Sequence, residues 1–119
     1  MKIPELYELE YVFECDAARS DPEVPWYYDC ISFSLARNRC RIDFSVEPGI
    51  GWGRVAIYVL DGKMVDLHLE NIRELAIVRD GGYEGLVLIF DEGHDVQPLE
   101  IGTKPDIRVK WGTSLGLYR

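Results

Sequence analysis

The sequence is poor in the groups that chemistry most often uses. It has two histidines, His68 and His94, and three cysteines, Cys15, Cys30 and Cys40. An odd cysteine set without the paired spacing of a zinc site gives no metal framework, so the thiols are expected to be reduced and partly buried, with a Cys15–Cys30 or Cys30–Cys40 bridge left open. No phosphate-binding loop is present, and Gly49-Ile50-Gly51-Trp52-Gly53 leads into no helix whose N-terminus could hold a phosphate. That loop reads as a flexible stretch presenting Trp52. Long apolar runs are missing too, since none approaches the roughly 18 residues of a membrane helix. Met1 to Glu10 carries three glutamates and no apolar segment of the kind a secretory signal has. The cytoplasm is therefore the expected location.

Positive charge is also in deficit. The net charge is −8, and a nucleic-acid ligand or an anionic membrane surface would select the opposite sign. Neither is expected as a partner. An acidic surface does suit a basic protein partner, whose approach it accelerates.

What the sequence has is strand periodicity, and 119 residues to arrange it in, the length of a single domain over 1–119. Tyr7, Leu9, Tyr11, Phe13 and Cys15 alternate with Glu8, Glu10 and Glu14, which reads as a half-buried strand with an acidic outer face. Val12 breaks that alternation. Asp16 to Pro25, with two prolines, reads as a loop delivering Trp26, Tyr27 and Tyr28. Two hairpins follow. Ile31, Phe33 and Leu35 alternate with Ser32 and Ser34, while Cys40, Ile42, Phe44 and Val46 alternate with Arg41, Asp43 and Ser45. A turn at Arg37-Asn38 would pair Leu35 with Cys40 and Phe33 with Ile42. The second hairpin turns at Asp61-Gly62, pairing Tyr58 with Val65 and Ala56 with Leu67.

Asn71 to Arg79 suits either a strand or a short helix; its β-branched end favours strand. Leu86 to Phe90 reads as a buried strand, Leu99 to Gly102 as a short one, and Ile107 to Trp111 as a last strand with a basic outer face. Gly112 to Arg119 is expected to be loose. Eight or nine short strands joined by short turns imply a mainly β fold: an antiparallel meander forming a barrel or a two-layer sandwich. A small α+β fold with one helix near 71–77 is the alternative.

Candidate chemistry is thin. Asp66-Leu67-His68 could orient an imidazole, though a hydrogen-bonded structural histidine is the favoured reading. Asp91-Glu92-Gly93-His94-Asp95 gathers carboxylates and an imidazole, but its spacing matches no calcium loop and a solvated turn explains it. No cofactor or metal is expected, and the chain reads as a non-catalytic binding protein. More suggestive are aromatics beside loops, Trp26, Tyr28 and Trp52, because Trp and Tyr anchor interfaces disproportionately.

From Asp29 to Thr113 the run of strands resembles the small immunity proteins of bacterial polymorphic-toxin systems. The stretch Leu67-His68-Leu69 leading into Glu70-Asn71-Ile72-Arg73-Glu74-Leu75, with two further strands after it, carries the likeness. The resemblance implies a protein that occludes the active site of a cognate toxin. Under it, Glu8, Glu10 and Glu14 would face a basic toxin cleft, and Trp26, Tyr28 and Trp52 would be the anchors. Two other readings compete: a β-module binding a small ligand or sugar, which requires a deep pocket lined by Trp or Tyr, and an uncharacterised enzyme built on His68 or His94.

Overall fold

The structure, a computed structural model, describes residues 1–91 and 96–112. Helix α1 spans Leu6–Phe13. Among the described residues nine strands follow: β1 (Ala18–Arg19), β2 (Ile31–Arg37), β3 (Cys40–Glu47), β4 (Trp52–Val59), β5 (Gly62–Leu69), β6 (Ile72–Asp80), β7 (Tyr83–Phe90), β8 (Leu99–Lys104) and β9 (Arg108–Lys110). They form two antiparallel meanders, a five-stranded sheet β1-β2-β3-β4-β5 and a four-stranded sheet β6-β7-β8-β9. The sheets stay separate, so the sandwich alternative holds and the barrel does not. One core cluster draws on both sheets and on α1.

The first expected strand is the helix. Leu9, Val12 and Phe13 are buried, an i, i+3, i+4 set that lies on one side of a helix. Alternation suggests a strand because Tyr7, Leu9, Tyr11 and Phe13 also fit period two. Val12, the residue that breaks that pattern, is the one that decides it. In the helix Tyr7 and Tyr11 turn outward, 68% and 59% exposed. Glu14 closes the helix in the left-handed region at φ 54°, and the amides of Glu14 and Cys15 donate to the carbonyls of Tyr11 and Glu10. Phe13 then stacks on Phe33 and Phe44 at 5.1 and 5.5 Å.

Both hairpins form, in registers other than those expected. In β2–β3 the left-handed pair is Asn38 and Arg39, and Phe33 faces Phe44 while Leu35 faces Ile42. The turn lies one residue later, which slides the ladder by two. Two is the side-chain period, so every residue keeps its face. In β4–β5 the left-handed pair is Leu60 and Asp61, not Asp61-Gly62. Val55 faces Leu67, Ile57 faces Val65, and Tyr58 faces Lys63 across an irregularity that leaves Met64 unpaired. Burial of Val55 and Ile57 on the core face outweighs the local Asp-Gly preference, since the expected register set Val55 against His68 and Ile57 against Asp66. β4 lies inside its sheet, between β3 and β5.

Residues 72–80 are strand rather than helix, with Leu75 facing Leu88 and Ile77 facing Leu86. The chain passes between sheets through Glu70 and Asn71, the latter at φ 59°, and Ile72 N–H donates to Gly51 C=O at 3.0 Å. A Cβ on Gly85 would lie 2.4 Å from the Ile101 carbonyl oxygen, whereas one on Gly82 would meet nothing within 4 Å.

Gly85→Ala should therefore destabilise the protein by about 1–3 kcal/mol in urea unfolding, and Gly82→Ala by less than about 0.5 kcal/mol. Phe44→Ala should cost about 3–5 kcal/mol by the same measurement. Equal effects of the two glycine substitutions would contradict the β7–β8 packing.

A candidate binding hollow on the outer face of the five-stranded sheet

Solvated sheet faces usually carry long polar side chains, which shield the backbone and discourage aggregation. The outer face of the five-stranded sheet departs from that habit. Its rows run straight across the strands. Ala18, Ser32, Ser45, Arg54 and His68 form one, and Ser34, Asp43, Ala56 and Asp66 the next. Small side chains occupy the middle, so the face is dished rather than flat. The resulting hollow has a volume of about 480 Å³, and Cys15, Asp16 and Ala18 form its far wall. Ala56 is only 4% exposed although it lies on the solvent side.

Hydrogen bonds organise the floor. The hydroxyls of Ser32 and Ser45 share one of 2.8 Å, and Ser34 Oγ–H donates to Asp43 Oδ1 at 2.8 Å. At one rim Arg54 donates through two nitrogens to the two carboxylate oxygens of Asp66, both at 3.0 Å. Those hydrogen bonds, aided by Lys63, hold the Asp66 carboxyl down at about 2 and raise the Arg54 guanidinium. Arg41 lies over the Tyr58 ring, 4.1 Å from its centroid. Its Nε comes within 3.4 Å of Asp43 yet makes no hydrogen bond. The wall is fixed by Glu10, whose carboxylate accepts the Ala17 N–H at 2.8 Å. Below it, Asp29 is buried. Burial alone would raise its carboxyl, but hydrogen bonds from Arg19 and from the Asp21 and Cys30 amides outweigh this and lower it.

The residues singled out from sequence are dispersed. Glu8, Glu10 and Glu14 belong to α1 and its cap, not to a strand face. Glu10 is engaged by Ala17 and Glu14 by Arg37, while Glu8 borders a separate open groove with Lys2, Glu74 and Arg79. Trp26 packs against the core. It begins a 3₁₀ turn that ends at Tyr28, and Tyr28 is 73% exposed. Trp52 is half-buried opposite Glu47. None of the three aromatics lines the hollow.

His68 stands 3.4 Å from Asp66, a carboxylate already held by Arg54 and Lys63. Within this constellation the aspartate orients the guanidinium more closely than the imidazole. His94 and its acidic neighbours lie outside the described residues, as does most of the tail. Cys15, Cys30 and Cys40 are all free, and burial, reinforced by the Glu47 charge, pushes the Cys30 thiol up. No described helix is long and apolar enough to cross a membrane.

The fold has a solved counterpart. A chain of the contact-dependent growth inhibition toxin–immunity protein complex from Klebsiella pneumoniae 342 superposes with a TM-score of 0.79 at 17% identity, covering 93% of this chain and 95% of that one. No protein-family profile matches the sequence, and no curated protein is similar to it. At 17% identity the structural likeness shows the fold.

The hollow is hard to see in the sequence although its residues are in view. Ser32, Ser34 and Ser45 look like an ordinary solvent face, when the useful signal is that three outward positions of adjacent strands are short. The Arg54–Asp66 pair is hidden by the Asp-Gly turn signal, which implies another register.

Acid should expose that pair's contribution. A carboxyl lowered to about 2 from 3.8 stabilises the fold above the unfolded value and loses that contribution as pH falls through the folded one. The stability difference between the wild type and Asp66→Asn should be constant from neutrality to about pH 5, then shrink between about pH 4 and pH 2. A difference independent of pH across that window would remove the ionic pairing.

Proposed function

We propose that this chain is an immunity protein that binds a growth-inhibition toxin and blocks its action without doing chemistry itself. The observation carrying this reading is the structural likeness, which spans almost the whole of both chains. That complex pairs a toxin with an immunity protein, and the present chain's own physics favours the immunity half. Within residues 1–30, eight acidic residues stand against two basic ones, so this quarter of the chain carries most of the net charge of −8. Such a field attracts a basic partner and repels nucleic acid. The charged groups on the outer sheet face are largely engaged with one another, an arrangement suited to recognition rather than to proton transfer. We assign the chain to the cytoplasm, where a partner of this kind would be met. Of Glu8, Glu10 and Glu14, Glu8 is the one whose carboxylate no described residue engages, so we assign it the steering role, with Tyr28 as the exposed anchor.

The test uses the toxin domain from the reading frame adjoining the gene, expressed under separate control. Growth should stop with toxin alone and be restored by co-expression of this chain. Growth arrest by this chain alone would make it the toxin half instead. With purified proteins, Glu8→Lys should lower the association rate several-fold at low salt and flatten its salt dependence, and Tyr28→Ala should raise the dissociation rate by about tenfold or more. Unchanged kinetics for both would move the interface elsewhere.

A further inference from the structure

We infer that the hollow on the outer sheet face is a receptor for an arginine side chain, presented by the protein partner; this deepens the immunity reading and rests on it for the source of the arginine. Three features carry the inference. The floor is short and polar, so a long side chain from outside can reach it without displacing anything bulky. Its hydroxyls at Ser32 and Ser45 already hydrogen-bond each other at 2.8 Å, and each oxygen keeps a lone pair for an incoming N–H.

The second feature is charge. Two carboxylates line the hollow, Asp16 on the wall and Asp43 on the floor. Asp16 is exposed and makes no hydrogen bond or ion pair among the described residues. Asp43 accepts Ser34 on Oδ1, the oxygen that Arg41 also approaches, so Oδ2 is left for a ligand. Arg41 itself is drawn over Tyr58 and is not part of the lining. The cation on the lining, Arg54, is held through two nitrogens by Asp66. The lining thus presents hydroxyl acceptors, the uncompensated carboxylate of Asp16 and the second oxygen of Asp43, whose first is shared by Ser34 and Arg41, and this set fits a cation bearing several donors. A planar guanidinium meets that demand better than an ammonium, since its five N–H groups can divide between a carboxylate and neighbouring hydroxyls.

The third feature is rigidity. The wall that carries Asp16 is tied down by Glu10 at the Ala17 amide and by the capped end of α1. A site held in place before binding loses little entropy on binding.

The probe is N-acetyl-L-arginine amide, titrated into the ¹⁵N-labelled full-length chain and followed by amide chemical shifts. Saturable shifts should cluster at Ser32, Ser34, Ser45 and Ala56. N-acetyl-glutamine amide should leave them unmoved, and free L-arginine should bind more weakly because its own carboxylate meets Asp16 and Asp43. Asp43→Asn and Asp16→Asn should each weaken binding by about fivefold to tenfold. Asp16 lies off the strands, so its variant keeps the test valid if Asp43→Asn disturbs the sheet. Shifts that are scattered, that centre on Glu8, or that glutamine amide reproduces would overturn the site. Tighter binding of free arginine would make it a metabolite site and overturn the docking role. Ser45→Trp, which fills the hollow, separates the two readings. If it abolishes both capped-arginine binding and protection from toxin, both stand. A chain that binds capped arginine but never protects overturns immunity and leaves the site. Protection that survives Ser45→Trp overturns the docking role alone.

Discussion

The stack of Phe13 on Phe33 and Phe44 holds this architecture together. All three rings are nearly parallel and buried. One comes from a helix and two from facing strands, so the contact fixes the helix against the five-stranded sheet in a single position. Dispersion between large flat surfaces supplies much of that hold, and offset ring stacking adds direction to it. Everything after Phe13 inherits its place from this contact. Glu14 turns the chain back, Glu10 reaches forward to the Ala17 amide, and Asp16 arrives at the edge of the outer face. The wall of the hollow is thus a consequence of packing on the opposite side of the same sheet.

The sheet's two faces are also coupled through register. A slide by one residue in β4 against β5 would bring Val55 and Ile57 opposite His68 and Asp66 and separate Arg54 from Asp66. The core is therefore what places the ion pair, and the ion pair adds only a modest electrostatic preference because it is partly exposed. Large apolar residues decide the alignment, and the small and charged residues outside are carried to their positions by it. A short left-handed segment at Leu60-Asp61 is the local cost, since a bulky residue in that conformation is disfavoured by roughly 1–2 kcal/mol.

Much of this is legible in the chain and some is not. Strands with strict alternation, such as Ile31 to Leu35 and Cys40 to Val46, announce themselves because one face is fully buried and the other is wet. The α1 segment misleads because aromatic residues at every second position satisfy a strand template, and only Val12 reveals the helical one. Hairpin registers fail for a different reason. A two-residue turn is a local signal worth little, whereas register is set by many cross-strand contacts that a turn motif cannot see. The hollow is invisible for a third reason. It is a property of adjacency, since Ala18, Ser32 and Ser45 come together only once three strands pair, and no one segment contains it.

The proposed binding role divides between two regions of the molecule. Long-range attraction scales with net charge and tolerates imprecise placement, which is what the acidic residues of the first thirty positions provide. Discrimination needs fixed geometry at short range, which strands locked in register provide. An acidic helix alone would attract any basic protein. Under the arginine-site proposal, a dished sheet face with two carboxylates and a hydroxyl floor would accept one side chain in one place. Because the floor residues point away from the core, they can change among related chains without disturbing Phe13, Phe33 and Phe44. The fold is shared with its structural counterpart at 17% identity, so the packing that sets it tolerates wide sequence change.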